Sequence, residues 1–169
     1  DITLLGFNDL HGNLEPPKQA VTAQNAQGQN VAVPAGGAAY LAQAIAQRRA
    51  ASRHVAVVTA GDMIGASPIV SSLFLDEPTI EALNLMKVDF AATGNHEYDQ
   101  GFAELLRMQN GGCEKLTSKD PCQLSKPFQG TKRLSHRFFP PPIWFLTALS
   151  GRRKERTSSS TRKCSSLWS

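Results

Sequence analysis

Acidic residues nearly disappear after position 130. Residues 131–169 carry nine Lys and Arg but a single acid, Glu155, whereas residues 1–130 carry nine Lys and Arg against 13 Asp and Glu. The net charge of +4 and the isoelectric point near 9.2 therefore describe the tail, and the acidic body gives nucleic-acid binding no support. Long apolar runs are also missing. None approaches the ~18 residues a membrane-spanning helix needs, and with 41% hydrophobic residues the chain reads as a soluble protein. Cysteine is scarce: Cys113 and Cys122 stand nine apart and Cys164 lies near the end. A thiolate zinc site would want closer pairs or extra Cys/His neighbours, so the first two suit a small disulfide loop in an oxidising compartment, with two free surface thiols as the alternative. No initiator methionine precedes the opening DITLLGF. A mature secreted protein would begin in this way, as would a trimmed segment, and a periplasmic or extracellular location is expected.

The length of 169 residues suits one domain. Residues 2–7 form a short apolar run that stops at Asn8-Asp9, the pattern of a buried strand delivering a loop. Residues 15–36, rich in Pro, Gln, Asn and Ala, read as a surface excursion. Residues 37–51 place Leu41, Ala44, Ile45 and Arg48 at helical spacing among alanines. The β-branched run 54–59 predicts a second strand ending on Ala60-Gly61-Asp62. Over 76–86, Asp76 is a candidate N-cap, Pro78 fits the first turn, and Ile80, Leu83 and Leu85 give apolar support for a helix. Residues 89–92 predict a third strand and 102–108 a short amphipathic helix. Strands alternating with helices indicate an α/β fold with a parallel sheet and helices on its faces, and such sheets gather functional loops at the carboxyl ends of their strands.

Three polar clusters fall at those ends: Asp9-Leu10-His11-Gly12, Gly61-Asp62, and Gly94-Asn95-His96-Glu97-Tyr98-Asp99. Each could be a turn when taken alone. Together they supply oxygen donors from Asp9, Asp62 and Asn95 and an imidazole from His11, the mixture that binds divalent zinc, manganese or iron rather than a thiolate centre. Asp9 and His11, one position apart on an extended strand end, can share one ion, and Asp62 has two oxygens with which to bridge two.

These residues carry a resemblance. NDLHGNLEP, the glycine-alanine segment 36–42, TAGDMIGASP and GNHEYDQG are similar to the first three motifs of the calcineurin-like metallophosphoesterases and, among them, to the 5′-nucleotidase family, over about residues 2–107. The resemblance implies a partial metallophosphoesterase-type α/β sandwich, two divalent metal ions (Zn, Mn or similar) and a nucleotide or other phosphoester substrate. It assigns Asp9 and His11 to the first metal, Asp62 to both and Asn95 to the second. It also makes His96 the catalytic residue beside the scissile phosphate, with Asp99 as its hydrogen-bonding partner. Glu97 receives no catalytic role and is read as a solvent or supporting group, Tyr98 as packing, and His54 and His136 as structural or solvated. Cyclic-nucleotide or nucleotide-sugar phosphodiesterases would share every motif present, and a catalytically silent metal-binding fragment is the rival from another class.

The family completes its two-metal site with later histidines, and no matching motif follows His96 in this sequence; His136 sits in RLSHRFF. The chain is accordingly divided into residues 1–130, the N-terminal part of the phosphoesterase domain, and residues 131–169, a basic tail whose three consecutive prolines and Ser/Thr/Arg/Lys-rich end are poor material for strands and helices. An interrupted reading frame near 130–132 is expected, with a natural basic tail as the alternative. Translating the encoding DNA in its other two frames should reveal resumed phosphoesterase-like sequence; if neither frame resumes it, the interruption is refuted.

Overall fold

The computed structural model describes residues 2–135, except 19, 34, 125, 126 and 132. His136 and the tail beyond it therefore lie outside the described residues. The alternation expected from the sequence is present. Strand β1 (Thr3–Phe7) leads through an antiparallel hairpin, β2 (Val21–Gln24) and β3 (Asn30–Val33), to helix α1 (Gly37–Ala51) and strand β4 (Val55–Thr59). After a short helix α2 (Ile69–Ser72) come α3 (Glu77–Leu85), β5 (Phe90–Ala92), a 3-10 turn (His96–Tyr98), α4 (Phe102–Asn110) and β6 (Leu134–Ser135). The hairpin occupies the surface excursion, with all eight of its strand residues exposed. Sheet order is β1-β4-β5-β6, every pair parallel.

That order explains the layering. Each new strand is added on the same side of its predecessor, so right-handed crossovers send the intervening helices to one face. Along β1, Thr3, Leu5 and Phe7 are half-buried while Leu4 and Gly6 are exposed. Leu5, Phe7 and Val55 pack against a core of Val57, Ile80, Leu83, Ala91, Leu105 and Met108. On the other face Leu4 and Phe90 stay 48% and 61% exposed. The parallel sheet with helices packed on it is the expected α/β arrangement, and among the described residues the helices that reach the core lie on one face. Strand β6 also carries regular structure past residue 130: Leu134 is buried, pairs with Ala91 and closes the core edge.

Helix α3 departs from expectation in two details. Asp76 stands at the N-cap position but makes no cap bond; its backbone is left-handed (φ 61°). Its carboxylate instead accepts from the Ser71 hydroxyl at 2.6 Å and the Gly65 N–H at 3.1 Å, tying the helix start to the loop after β4. Leu85 points outward at 83% exposure, because Ile80 and Leu83 already fill the buried stripe.

Behind the sheet ends, α3 and α4 are joined by an ion cluster. Arg107 bonds Glu104 at 2.6 Å and Glu77 at 2.7 Å, and all three side chains are nearly inaccessible. Its guanidinium also lies 5.2 Å from the centre of the Phe128 ring. Burial works against the charged guanidinium, but the two carboxylates outweigh it and raise its pKa. Glu77 further accepts the backbone N–H of Cys122, which is disulfide-bonded to Cys113. Closing a nine-residue separation contributes about 2–3 kcal/mol by chain entropy. Of the two readings of these cysteines, the disulfide is the one observed.

At the other end of the sheet, Asp89 accepts from Val57 N–H and Arg49, both at 2.8 Å. Its burial would raise its pKa, but the Val57 N–H and Arg49 prevail and hold it below the ordinary carboxylate value.

Removing Arg107 leaves two buried carboxylates without their cation. The Arg107→Ala variant should therefore lose about 3–5 kcal/mol in urea denaturation followed by far-UV circular dichroism; a loss below ~1 kcal/mol would place the network among solvated surface pairs.

Candidate metal centre

Parallel pairing places Phe7, Thr59 and Ala91 in one row. The chain beyond each of these residues enters a loop on the same edge of the sheet, and the loops carry Asp9, Asp62 and Asn95. Backbone bonds lock the first loop onto the second: Asp9 N–H to Gly61 O at 3.2 Å, His11 N–H to Asp62 O at 3.0 Å, and Gly12 N–H to Met63 O at 3.0 Å. Asp9, His11 and Asp62 all adopt left-handed backbone, with φ of 54°, 45° and 55°. This conformation is uncommon outside glycine, more tolerated by Asp and His, and a mark of functional sites when surrounding structure enforces it.

One oxygen or nitrogen from each of Asp9, His11 and Asp62 can be chosen so that all three lie within 4.8 Å of one another. The His11 Nδ1 is 2.9 Å from the Gly65 carbonyl oxygen. A carbonyl can only accept, so Nδ1 carries the proton and Nε2 keeps its lone pair, 3.7 Å from Asp9 Oδ1. Such an outer hydrogen bond fixes the tautomer a metal ligand requires. Two carboxylates and a free imidazole nitrogen fit a divalent cation of the zinc or manganese type. Asn95 is exposed at the start of the 3-10 turn, and the N–H of the next residue, His96, donates to Asp62 Oδ1 at 3.0 Å.

His96 stands beside this cluster, its ring 4.9 Å from that of His11, edge to face. Its Nδ1–H donates to Asp99 Oδ2 at 2.7 Å. That bond, opposed by partial burial and reinforced by the charges of Asp99, Asp62 and Glu97, raises the His96 pKa above the ordinary value. Ser67, Ser72, Gln100 and Lys119 join the two dyad residues around a cleft of about 150 Å³. His54 is exposed at the start of β4 and contributes only its backbone oxygen, to Thr3 N–H. Tyr98 packs on the core and its hydroxyl is 3.3 Å from Thr93 Oγ1.

Glu97, read from the sequence as a solvent or supporting group, turns inward. It is 3% exposed, and its two oxygens accept three backbone N–H groups: Met63 at 2.7 Å, Asp62 at 2.9 Å and Gly94 at 2.5 Å. The available signal was a carboxylate directly following Asn95-His96 at the mouth of a strand. Nothing local could reveal that two of its three donors lie 34 and 35 positions earlier.

Comparison with known proteins follows the same lines. No family model matches the chain. It is 54% identical over 133 residues to the uncharacterized protein in the pqq-V 5′ region of Acinetobacter calcoaceticus, covering 78% of this chain and 65% of that one. It is 39% identical over 111 residues to endonuclease YhcR of Bacillus subtilis and 32% identical over 106 residues to the snake venom 5′-nucleotidase of Crotalus adamanteus. These matches cover 66% and 63% of this chain, but only 9% and 17% of the relatives. Among solved structures, the NAD nucleotidase of Haemophilus influenzae superposes with a TM-score of 0.52 at 25% identity, over 68% of this chain and 21% of the other.

Gly94 provides a test of how closely these loops interlock. A Cβ there would fall 2.2 Å from Asp62 Oδ1 and 2.8 Å from the Asp62 backbone nitrogen. Gly94→Ala should lower stability by about 1–3 kcal/mol, read as a reduced melting temperature, whereas Gly28→Ala meets nothing within 4 Å and should show only the cost of its left-handed backbone, φ 74°.

Proposed function

We propose that the chain, similar over part of its length to a 5′-nucleotidase and to an NAD nucleotidase, is a metallophosphoesterase of the 5′-nucleotidase type and takes part in metal-dependent hydrolysis of nucleotide phosphoesters. The observation that carries this reading is the convergence of Asp9, His11 and Asp62 beside the His96–Asp99 pair. Asp9 and His11 would hold one divalent ion, Asp62 would serve both, and Asn95 would serve the second. When bound, such ions supply Lewis acidity toward phosphoryl oxygens and make a nearby water more acidic. The chain's own residues do the rest. Asp99 fixes the His96 ring through Nδ1, which leaves Nε2 to donate to a phosphoryl oxygen or to give the leaving alkoxide its proton. The cleft beside the pair is smaller than the ~300–1,000 Å³ of sites that enclose a whole small molecule. It has room for a phosphate-sized group.

These four ligands are fewer than two ions require, and no segment between His96 and residue 169 repeats the family's later histidine motifs. We therefore read this chain as supplying part of the coordination sphere, with weak turnover when it acts alone. The disulfide between Cys113 and Cys122 and the venom relative support an extracellular or periplasmic location. No helix among the described residues is long and apolar enough to cross a membrane. A second reading, action on phosphodiesters of nucleotides, is favoured by the endonuclease and NAD nucleotidase relatives.

Assay of this chain on p-nitrophenyl phosphate, bis-p-nitrophenyl phosphate and a nucleoside 5′-monophosphate, each with Mn²⁺ or Zn²⁺, separates these readings. Metal-dependent turnover reduced about 100-fold or more by His96→Ala is expected if His96 is the acid or charge-neutralising group. Preference for the diester would favour the second reading. Absence of any metal-dependent, His96-sensitive turnover would identify the chain as a silent metal-binding fragment.

A further inference from the structure

We infer that Glu97 is a positioning residue for metal binding, acting through the Asp62 loop; this rests on the proposed metal site. The carboxylate stands where two loops meet. From the loop after β4 it takes the N–H groups of Asp62 and Met63, and from the loop after β5 that of Gly94. The three donors point to one centre only while Asp62 keeps its left-handed backbone. That backbone in turn presents its side chain to His11 and Asp9 and its Oδ1 to the His96 N–H. Glycines keep the approach close: a Cβ on Gly61 would meet the Gly94 nitrogen at 2.3 Å, and one on Gly94 would meet Asp62 Oδ1 at 2.2 Å. No other side chain donates to or accepts from the backbone of both loops among the described residues.

The choice of a carboxylate is chemical. Both oxygens face donors, so an acceptor-only group satisfies all three N–H bonds, whereas an amide would turn its own NH₂ toward at least one of them. Glu97→Gln, similar in size, should therefore behave unlike an isostere, and Glu97→Asp, with both oxygens on a shorter stem, should be milder. Although Glu97 also lines the cleft beside His96 and Asp99, both of its oxygens are taken up by backbone N–H groups, and the metal ligand it contacts directly is Asp62, through the N–H of that residue. The two residues should thus be energetically coupled.

Isothermal titration of Mn²⁺ into the full chain and its variants, well below their melting temperatures, tests this. Supporting outcomes are a Kd raised about 10- to 100-fold in Glu97→Gln, a smaller rise in Glu97→Asp, and less than about a twofold effect of Glu97→Gln when Asp62 is already Ala. A Kd within about twofold of wild type in either Glu97 variant that folds would overturn it. So would a Gln effect undiminished in the Asp62→Ala background, or failure of both Glu97 variants to fold with metal present, since each assigns Glu97 a structural role only. If the wild type binds no Mn²⁺, or Asp62→Ala binds it as tightly, the underlying metal site is what fails.

Discussion

The parallel register of β1, β4 and β5 is the constraint from which the remainder of the site follows. It fixes Phe7, Thr59 and Ala91 as one row, and Asp9, Asp62 and Asn95 leave that row two, three and four residues later. Because side chains alternate along a strand, a slip of one residue would turn a loop's first side chain to the opposite face. The register is secured by the buried alternation of β4, where Val57 and Thr59 point into the core. Beyond the strands, backbone bonds from Asp9, His11 and Gly12 to the second loop and the Glu97 carboxylate between the second and third continue that order into the irregular backbone. The loops thus behave as an extension of the sheet.

Much of this architecture was legible in the sequence because it is governed by local pattern. The apolar run 2–7, the alanine-rich helix 37–51 and the β-branched run 54–59 each appear within a residue or so of the expected bounds. What escaped depends on contacts between distant segments. β6 is only two residues long and gains its identity from pairing with β5. Asp76 illustrates the limit well: its residue type and position suit an N-cap, yet Ser71 and Gly65 compete for the carboxylate and win.

The site was legible to the same degree. Asp9, His11, Asp62, Asn95, His96 and Asp99 could be picked out because each is a polar group placed at a strand end, where sheets of this kind concentrate function. The His96–Asp99 pair was implied by the family resemblance, and it forms because a helical turn brings side chains three residues apart together. Glu97 follows the opposite logic. Its side chain turns inward from the same turn that presents His96 outward, and a buried carboxylate next to a cluster of acids makes sense only once three backbone donors are seen to surround it.

The chain deals with its carboxylates in two contrasting ways, and the contrast separates framework from function. Glu77 and Glu104 are buried against Arg107, with Cys122 N–H adding to Glu77, so their charge is balanced inside the protein. Nothing remains for a ligand to supply, and their role is to join α3, α4 and the disulfide loop. Asp9 and Asp62 are gathered with equal care by strained backbone and interlocked loops. Yet among the described residues neither forms an ion pair with Lys or Arg; Asp9 has only His11, at 3.7 Å. Holding two carboxylates and an imidazole lone pair together is unfavourable unless a cation is shared among them. One acidic cluster is neutralised from within; for the other, the proposed divalent ion would supply the cation that the described residues do not.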